Sequence, residues 1–176
     1  MFNKLLVALD MSESCTDLFD QALALAQDTG AELTLLSVLA PDYGYRAALP
    51  YYPLITSFPT VDESALKAYQ QTFQAYEEKG RERLSSWCDR AGAADVRAEF
   101  AQVIGDPGKM ICDRATADST DLIIVGSRGL KGLRKLFIGS VSNYVIHHAP
   151  CSVMVVSQDT ELLPEAEKAS SQVSVA

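Results

Sequence analysis

The stretch from Asp121 to Val156, DLIIVGSRGLKGLRKLFIGSVSNYVIHHAPCSVMVV, gathers the residues of this sequence best suited to holding a ligand. It carries Gly126, Gly129, Gly132 and Gly139 together with Arg128, Lys131, Arg134 and Lys135, and no acid after Asp121. Glycines let backbone N–H groups approach an anion with no Cβ in the way. Ser140 opens a helical pattern, so the amides of that helix's first turn and the positive end of its dipole would face the same loop. The Ser140 hydroxyl is a further donor, and the four cations raise the local potential. These parts together suit a polyphosphate. The plain alternative is a tight turn with a solvated basic rim. It loses ground because the loop leaves a buried type of strand, enters a helix and holds no acid.

Other candidate chemistry is thinner. Asp10 ends an apolar run and could meet a ligand, although an acid there also serves as a helix N-cap. His147 and His148 close a short helical stretch before Pro150, where a cation suits the negative end of the dipole. No acid or nucleophile converges on them in the sequence, so they read as helix termination. Cys15, Cys88, Cys112 and Cys151 are spaced widely and irregularly, without a CxxC or a nearby His pair. They read as reduced thiols on buried faces, not as a zinc site or disulfide framework. No Walker A sequence occurs, and the first turn, LDMSES, lacks GxGxxG, so an ordinary dinucleotide site is not expected.

These residues need elements to place them. Leu5–Leu9 is a continuous apolar run, as in a strand covered on both faces. A helix follows, capped by Ser12 or Ser14, with a stripe of Cys15, Leu18, Phe19, Ala22 and Ala26 and an end at Gly30. Glu32–Val38 is the second strand. Pro41–Pro59 then breaks the rhythm with four prolines and five aromatics, among them Tyr43, Tyr45, Tyr51 and Tyr52. Thr60–Glu63 has capping-box spacing and opens a long helix to about Cys88, with a bend or interruption expected at Gly80. Asp95–Val103 is the third strand. Asp106 caps the next helix, with Pro107 in its first turn. Leu122–Val125 and Ser152–Val156 are the last strands, flanking a helix at Ser140–His148. Ser157 onward has little to bury and reads as a mobile tail.

Five strands separated by helices predict an α/β fold, a doubly wound five-stranded parallel sheet of Rossmann-like type. Ligands in such sheets sit beyond the carboxyl ends of the strands, near the point where strand order reverses. The length of 176 residues suits one domain, and no apolar run approaches the ~20 residues of a membrane helix. The net charge of −8 argues against bulk nucleic-acid binding. The opening MFNKLLVALDMSES reads as a first strand and not as a signal peptide, so a cytoplasmic location is expected.

The spacing Gly126, two residues, Gly129, nine residues, Gly139, Ser140 resembles the nucleotide motif of the universal stress proteins in their ATP-binding branch. LLVALD, GDP at Gly105–Pro107, DLIIVGSRG and VIHHAPCSVMVV resemble the same family. The resemblance spans residues 1–156 apart from the 41–59 insertion, with 157–176 as a tail. It implies ATP, with or without Mg2+, as the ligand. It also implies that Asp10 and Ala8 meet the nucleoside, that the backbone of Val38 meets the adenine edge, and that Arg128 and Val141 join the glycines at the phosphates. It implies a homodimer paired through Ser152–Val156, serving stress response or regulation with a protein partner. A slow ATPase or autokinase is the alternative, and an FMN-binding flavodoxin-like protein a remote one. MSESCT lacks the glycine a flavin phosphate loop would use, and the acidic cluster of a receiver domain is absent. The 41–59 insertion emerges beside the expected adenine pocket, so it is expected to cover the nucleotide or to form a partner surface.

Overall fold

The structure, a computed structural model, describes residues 1–12, 15–40, 63–127 and 139–157. The Pro41–Pro59 insertion, most of the capping box, Arg128 and Gly129 in the glycine loop, and the tail after Ser157 lie outside the described residues.

The sequence folds into β1 (Lys4–Ala8), α1 (Cys15–Thr29), β2 (Glu32–Leu39), α2 (Glu63–Ala93), β3 (Ala98–Ile104), α3 (Pro107–Asp118), β4 (Leu122–Ser127), α4 (Ser140–His148) and β5 (Ser152–Ser157). The strands form one sheet in the order β3-β2-β1-β4-β5, every pairing parallel. This is the five-stranded α/β sheet that the alternation of elements predicts. Ala8 pairs with Leu36 on one side and Val125 on the other. The strand order therefore reverses beside β1, and a crevice opens between the ends of β1 and β4.

Both faces of the sheet are covered, which explains why β1 and β4 read as unbroken apolar runs. Successive side chains of a strand point to opposite faces. Leu5, Val7, Leu33, Leu35 and Ile124 meet Leu18, Phe19, Ala22 and Ala26 of α1 and Leu84, Trp87 and Ala91 of α2. Leu6, Leu36, Ile123 and Val125 meet Ile111, Cys112 and Ala115 of α3 and Val145 of α4. The buried stripe of α1 is the one expected from its spacing.

Two boundaries differ from expectation by several residues. Helix α2 continues past Cys88 to Ala93, and Gly80 does not interrupt it. Gly80 is buried, and a Cβ there would stand 2.4 Å from Nε2 of Gln102, so its missing side chain leaves room for the tip of that glutamine. Strand β3 begins at Ala98 instead of Asp95, because Asp95 adopts φ 57° in the turn that closes α2. The Asp95 amide bonds to the Gly92 carbonyl at 3.1 Å, so that residue belongs to the helix end. Asp106 caps α3 as expected, accepting from the Lys109 amide at 2.9 Å, with Pro107 opening the helix.

Candidate functional site

A cavity of about 470 Å³ lies beyond the carboxyl ends of β1, β2 and β4. That is within the ~300–1,000 Å³ common for small-ligand pockets. Ala8 and Asp10 line it from β1 and the turn that follows, and Val38 lines it from β2. Gly126 reaches it from the end of β4, and Gly139, Ser140 and Val141 from the start of α4. Seven of the nine residues singled out from the sequence thus share one cavity, and the other two, Arg128 and Gly129, lie outside the described residues.

The two ends of the glycine loop are tied together. Ser142 is buried in the first turn of α4, and its hydroxyl donates to the Gly126 carbonyl at 2.8 Å. This bond fixes the start of α4 against the end of β4. Gly139 stands at the N-cap and offers no side-chain bond to the first-turn amides. Those amides, with the helix dipole behind them, form the anion-seeking end of the cavity. Helix α3 holds α4 from the other side. Gly108 is buried there, and a Cβ on it would stand 2.6 Å from Cδ1 of Tyr144. Pro107 and Ile111, its neighbours on α3, face the cavity themselves.

Asp10 is the single carboxylate among the described lining residues. Its Oδ1 accepts from the Ser12 amide at 3.2 Å, from the Ser12 hydroxyl, and from the Cys15 thiol at 2.9 Å. The same thiol lies 2.8 Å from the Asp10 backbone carbonyl. The Cys15 amide in turn bonds to the Ser12 carbonyl at 3.3 Å, which sets α1 running. The carboxylate therefore organises the turn between β1 and α1 while facing the cavity. Burial first, and the Asp10 carboxylate second, push the Cys15 thiol up to about 12, so it stays a protonated donor. Burial raises Cys88, Cys112 and Cys151 as well, and all four cysteines are free thiols.

Several participants escape a reading of the sequence alone. Thr72, Phe73 and Tyr76 of α2 close one side of the cavity, with Tyr76 still exposed. Arg83 of the same helix donates to the Met11 carbonyl at 3.1 Å and the Thr16 hydroxyl at 3.3 Å. It thereby clamps the turn that carries Asp10. Its partners are far away in the chain, so no local pattern announces them. Tyr76 has a visible signal, an aromatic one turn after Phe73 on the same helix face, but nothing assigns it to the cavity before α2 is placed. His147 and His148 do not line the cavity. His148 lies 2.8 Å from the Tyr144 carbonyl and stacks on the Tyr144 ring at 4.0 Å, a helix-end arrangement.

Comparison with known proteins places this geometry among relatives. Residues 1–157 match the universal stress protein family. The universal stress protein Sll1388 of Synechocystis is 35% identical over 155 residues, covering 88% of this chain and 97% of its own. Slr1101 of the same organism is 43% identical over 100 residues, covering 56% of this chain and 93% of its own. Among solved structures, a universal stress protein family protein of Arabidopsis thaliana with AMP bound superposes with a TM-score of 0.58 at 22% identity, covering 93% of this chain and 97% of that one. A universal stress protein in complex with cAMP gives 0.57 at 22%, covering 89% and 98%. At that identity the structural likeness speaks for the fold. No helix among the described residues is long and apolar enough to cross a membrane.

Proposed function

The chain belongs to the universal stress protein family, and from that premise we propose that its cavity binds ATP or another adenine nucleotide, the protein acting as a homodimeric regulatory module in the cytoplasm. The observation that carries this reading is the convergence of Ala8, Asp10 and Val38 with Gly126, Gly139, Ser140 and Val141 on one cavity. The character of its walls supports an orientation. The glycine end and the first turn of α4 take the phosphates, with Arg128 and Gly129 contributing from the loop. Ala8, Val38 and Asp10 take the nucleoside. AMP and cAMP in two solved proteins of the same fold make an adenine ligand the first to try.

Mg2+ would arrive with the triphosphate, since this ion keeps several waters and is held largely through phosphates. Among the described residues no group of three or more His, Cys, Asp or Glu is placed to hold a metal by itself. Rapid hydrolysis needs a positioned base and charge neutralisation at the phosphates. Asp10 is the one described carboxylate on the wall, and its Oδ1 is already engaged by Ser12 and Cys15. Turnover should therefore fall orders of magnitude below the ~10 s⁻¹ of a median enzyme. ATP hydrolysis at that median rate, lost in Asp10→Asn, would favour the enzyme reading instead.

Titration calorimetry tests the binding itself. ATP should bind the wild-type protein, and the double variant Gly126→Val/Gly129→Val should lose that binding while remaining folded. Undiminished ATP affinity in the folded double variant would remove the glycine loop from the site. FMN binding without ATP binding would point to a flavin protein.

A further inference from the structure

Asp10 is the residue on the cavity wall whose orientation matters most, because a carboxylate recognises hydroxyl or amine donors only along its lone pairs. A carboxylate on a turn after a strand has two side-chain torsions to lose when a ligand arrives. In this chain Cys15 and Ser12 are among the neighbours that already restrain those torsions. The Cys15 thiol reaches both Oδ1 and the backbone carbonyl of Asp10, at 2.9 and 2.8 Å, and so spans the backbone and the tip of one residue. Ser12 adds its amide and hydroxyl to the same oxygen. Cys15 is itself enclosed. It is 1% exposed, begins α1, and packs in one cluster with Leu18 and Phe19.

We propose that Cys15, together with Ser12, is a positioning residue that fixes the Asp10 carboxylate in the orientation the bound nucleoside needs. The proposal rests on the reading of the cavity as a nucleotide site. Packing alone would accept an alanine or valine at the head of the α1 stripe. A sulfhydryl adds one proton, shared between the Asp10 carbonyl and the one described carboxylate of the cavity. Held well above the ordinary thiol range, it keeps its proton throughout the neutral pH range and never confronts Asp10 with a second negative charge. Without this donor the carboxylate loses one of its restraints, and the ligand would have to supply that part of the ordering at a cost in affinity.

Cys15→Ala and Cys15→Ser separate positioning from packing. Serine restores a donor to the Asp10 oxygens, whereas alanine keeps only part of the packing. Calorimetry with ATP should tell the two apart. Cys15→Ala is expected to bind about three- to tenfold more weakly than wild type. Cys15→Ser should stay within about twofold. In an Asp10→Ala background the Cys15→Ala change should have no further effect on affinity, because nothing is left to position. Equal affinity in Cys15→Ala and Cys15→Ser would overturn the proposal, as would wild-type affinity in Cys15→Ala. Wild-type protein that binds no ATP would overturn the nucleotide reading itself. Should Cys15→Ala not fold, exposed Ser12 carries the same test: weaker binding in Ser12→Ala supports positioning, and unchanged binding refutes it.

Discussion

A Cβ on Gly108 would lie 2.6 Å from Cδ1 of Tyr144, 2.8 Å from its Cγ and 3.0 Å from its Cβ. Those atoms belong to the root of the ring, so rotating the ring cannot clear them, and helix α4 itself would have to shift. Gly108→Ala should therefore cost about 1–3 kcal/mol of stability in urea unfolding, the usual range for overpacking. Because α4 presents Gly139 and Ser140, the same change should also weaken ATP binding. Tyr144→Ala added to Gly108→Ala should recover part of both, since the two residues are in direct contact and their effects should not add. Asp121 is a second single-residue case. Its carboxylate accepts from the amides of Asn3 and Lys4 at 2.8 and 3.0 Å, and those two bonds hold it below the usual carboxylate range. The folded state thus keeps this group ionised to lower pH than the unfolded chain does. Its contribution is complete above the unfolded value near 4 and disappears as pH falls through the depressed folded value. Asp121→Asn should lower the urea midpoint at neutral pH and flatten the acid limb below about pH 4. An unchanged acid limb would show that the amides of Asn3 and Lys4 do not distinguish the two protonation states.

At the scale of elements, α2 does more than cover the sheet. Its Arg83 bonds to the Met11 carbonyl and the Thr16 hydroxyl and lies over the Trp87 ring at 4.8 Å. Helix α2 thereby holds the turn that carries Asp10, while Thr72, Phe73 and Tyr76, two to three turns earlier in the same helix, close the cavity. Arg83→Ala should cost about 1–2 kcal/mol through the lost bonds and ring contact. Its more telling effect should be faster hydrogen exchange at Met11 and Ser12 than in wild type. Exchange unchanged at those amides would leave Arg83 with only a packing role. This element also shows where sequence reading succeeds and where it stops. The stripe of α1 and the apolar runs of β1 and β4 are legible because a single period fixes which face is buried. The convergence of Asp10, Val38 and Gly126 is legible because parallel strand order dictates which loops share an end. The start of β3 is not, since Asp95 enters a left-handed turn that the alternation of DVRAEFAQV does not reveal. Gly80 misleads because a glycine inside a helix signals a bend unless the close neighbour, here Gln102, is known. The Arg83 clamp and the Cys15 donor depend on side-chain directions and on contacts up to 72 residues apart, which no local pattern carries.

For the whole molecule, the strand order among the described residues leaves β5 at one edge of the sheet, with β4 on its inner side. An open edge presents unpaired backbone donors and acceptors to any other strand, and natural sheets protect such edges with charge, proline or a partner. Strand β5, SVMVVS, carries neither charge nor proline. Val153 and Val155 pack toward the layer of α3 and α4, and Met154 toward that of α1 and α2. All three remain only partly buried, so each face of the strand still has apolar surface to cover. A second copy related by a two-fold axis would pair the strand with itself and cover both faces at once, as an isologous contact requires. Light scattering on the purified protein should accordingly give twice the 19.1 kDa chain mass. Val155→Glu places a charge at the centre of that contact while its neighbours on β4 stay unchanged, and it should shift the mass to that of one chain. A wild-type monomer, or a dimer indifferent to Val155→Glu and Met154→Lys alike, would remove β5 as the interface. Nucleotide affinity gives the comparison its further use. Gly126 on β4 pairs with Val156 on β5, so the strand that would meet a partner copy is hydrogen-bonded directly to the one that carries the glycine loop. If that adjacency couples the two sites, the Val155→Glu monomer should bind ATP more weakly than the dimer, and ATP should in return strengthen dimerisation by the same factor.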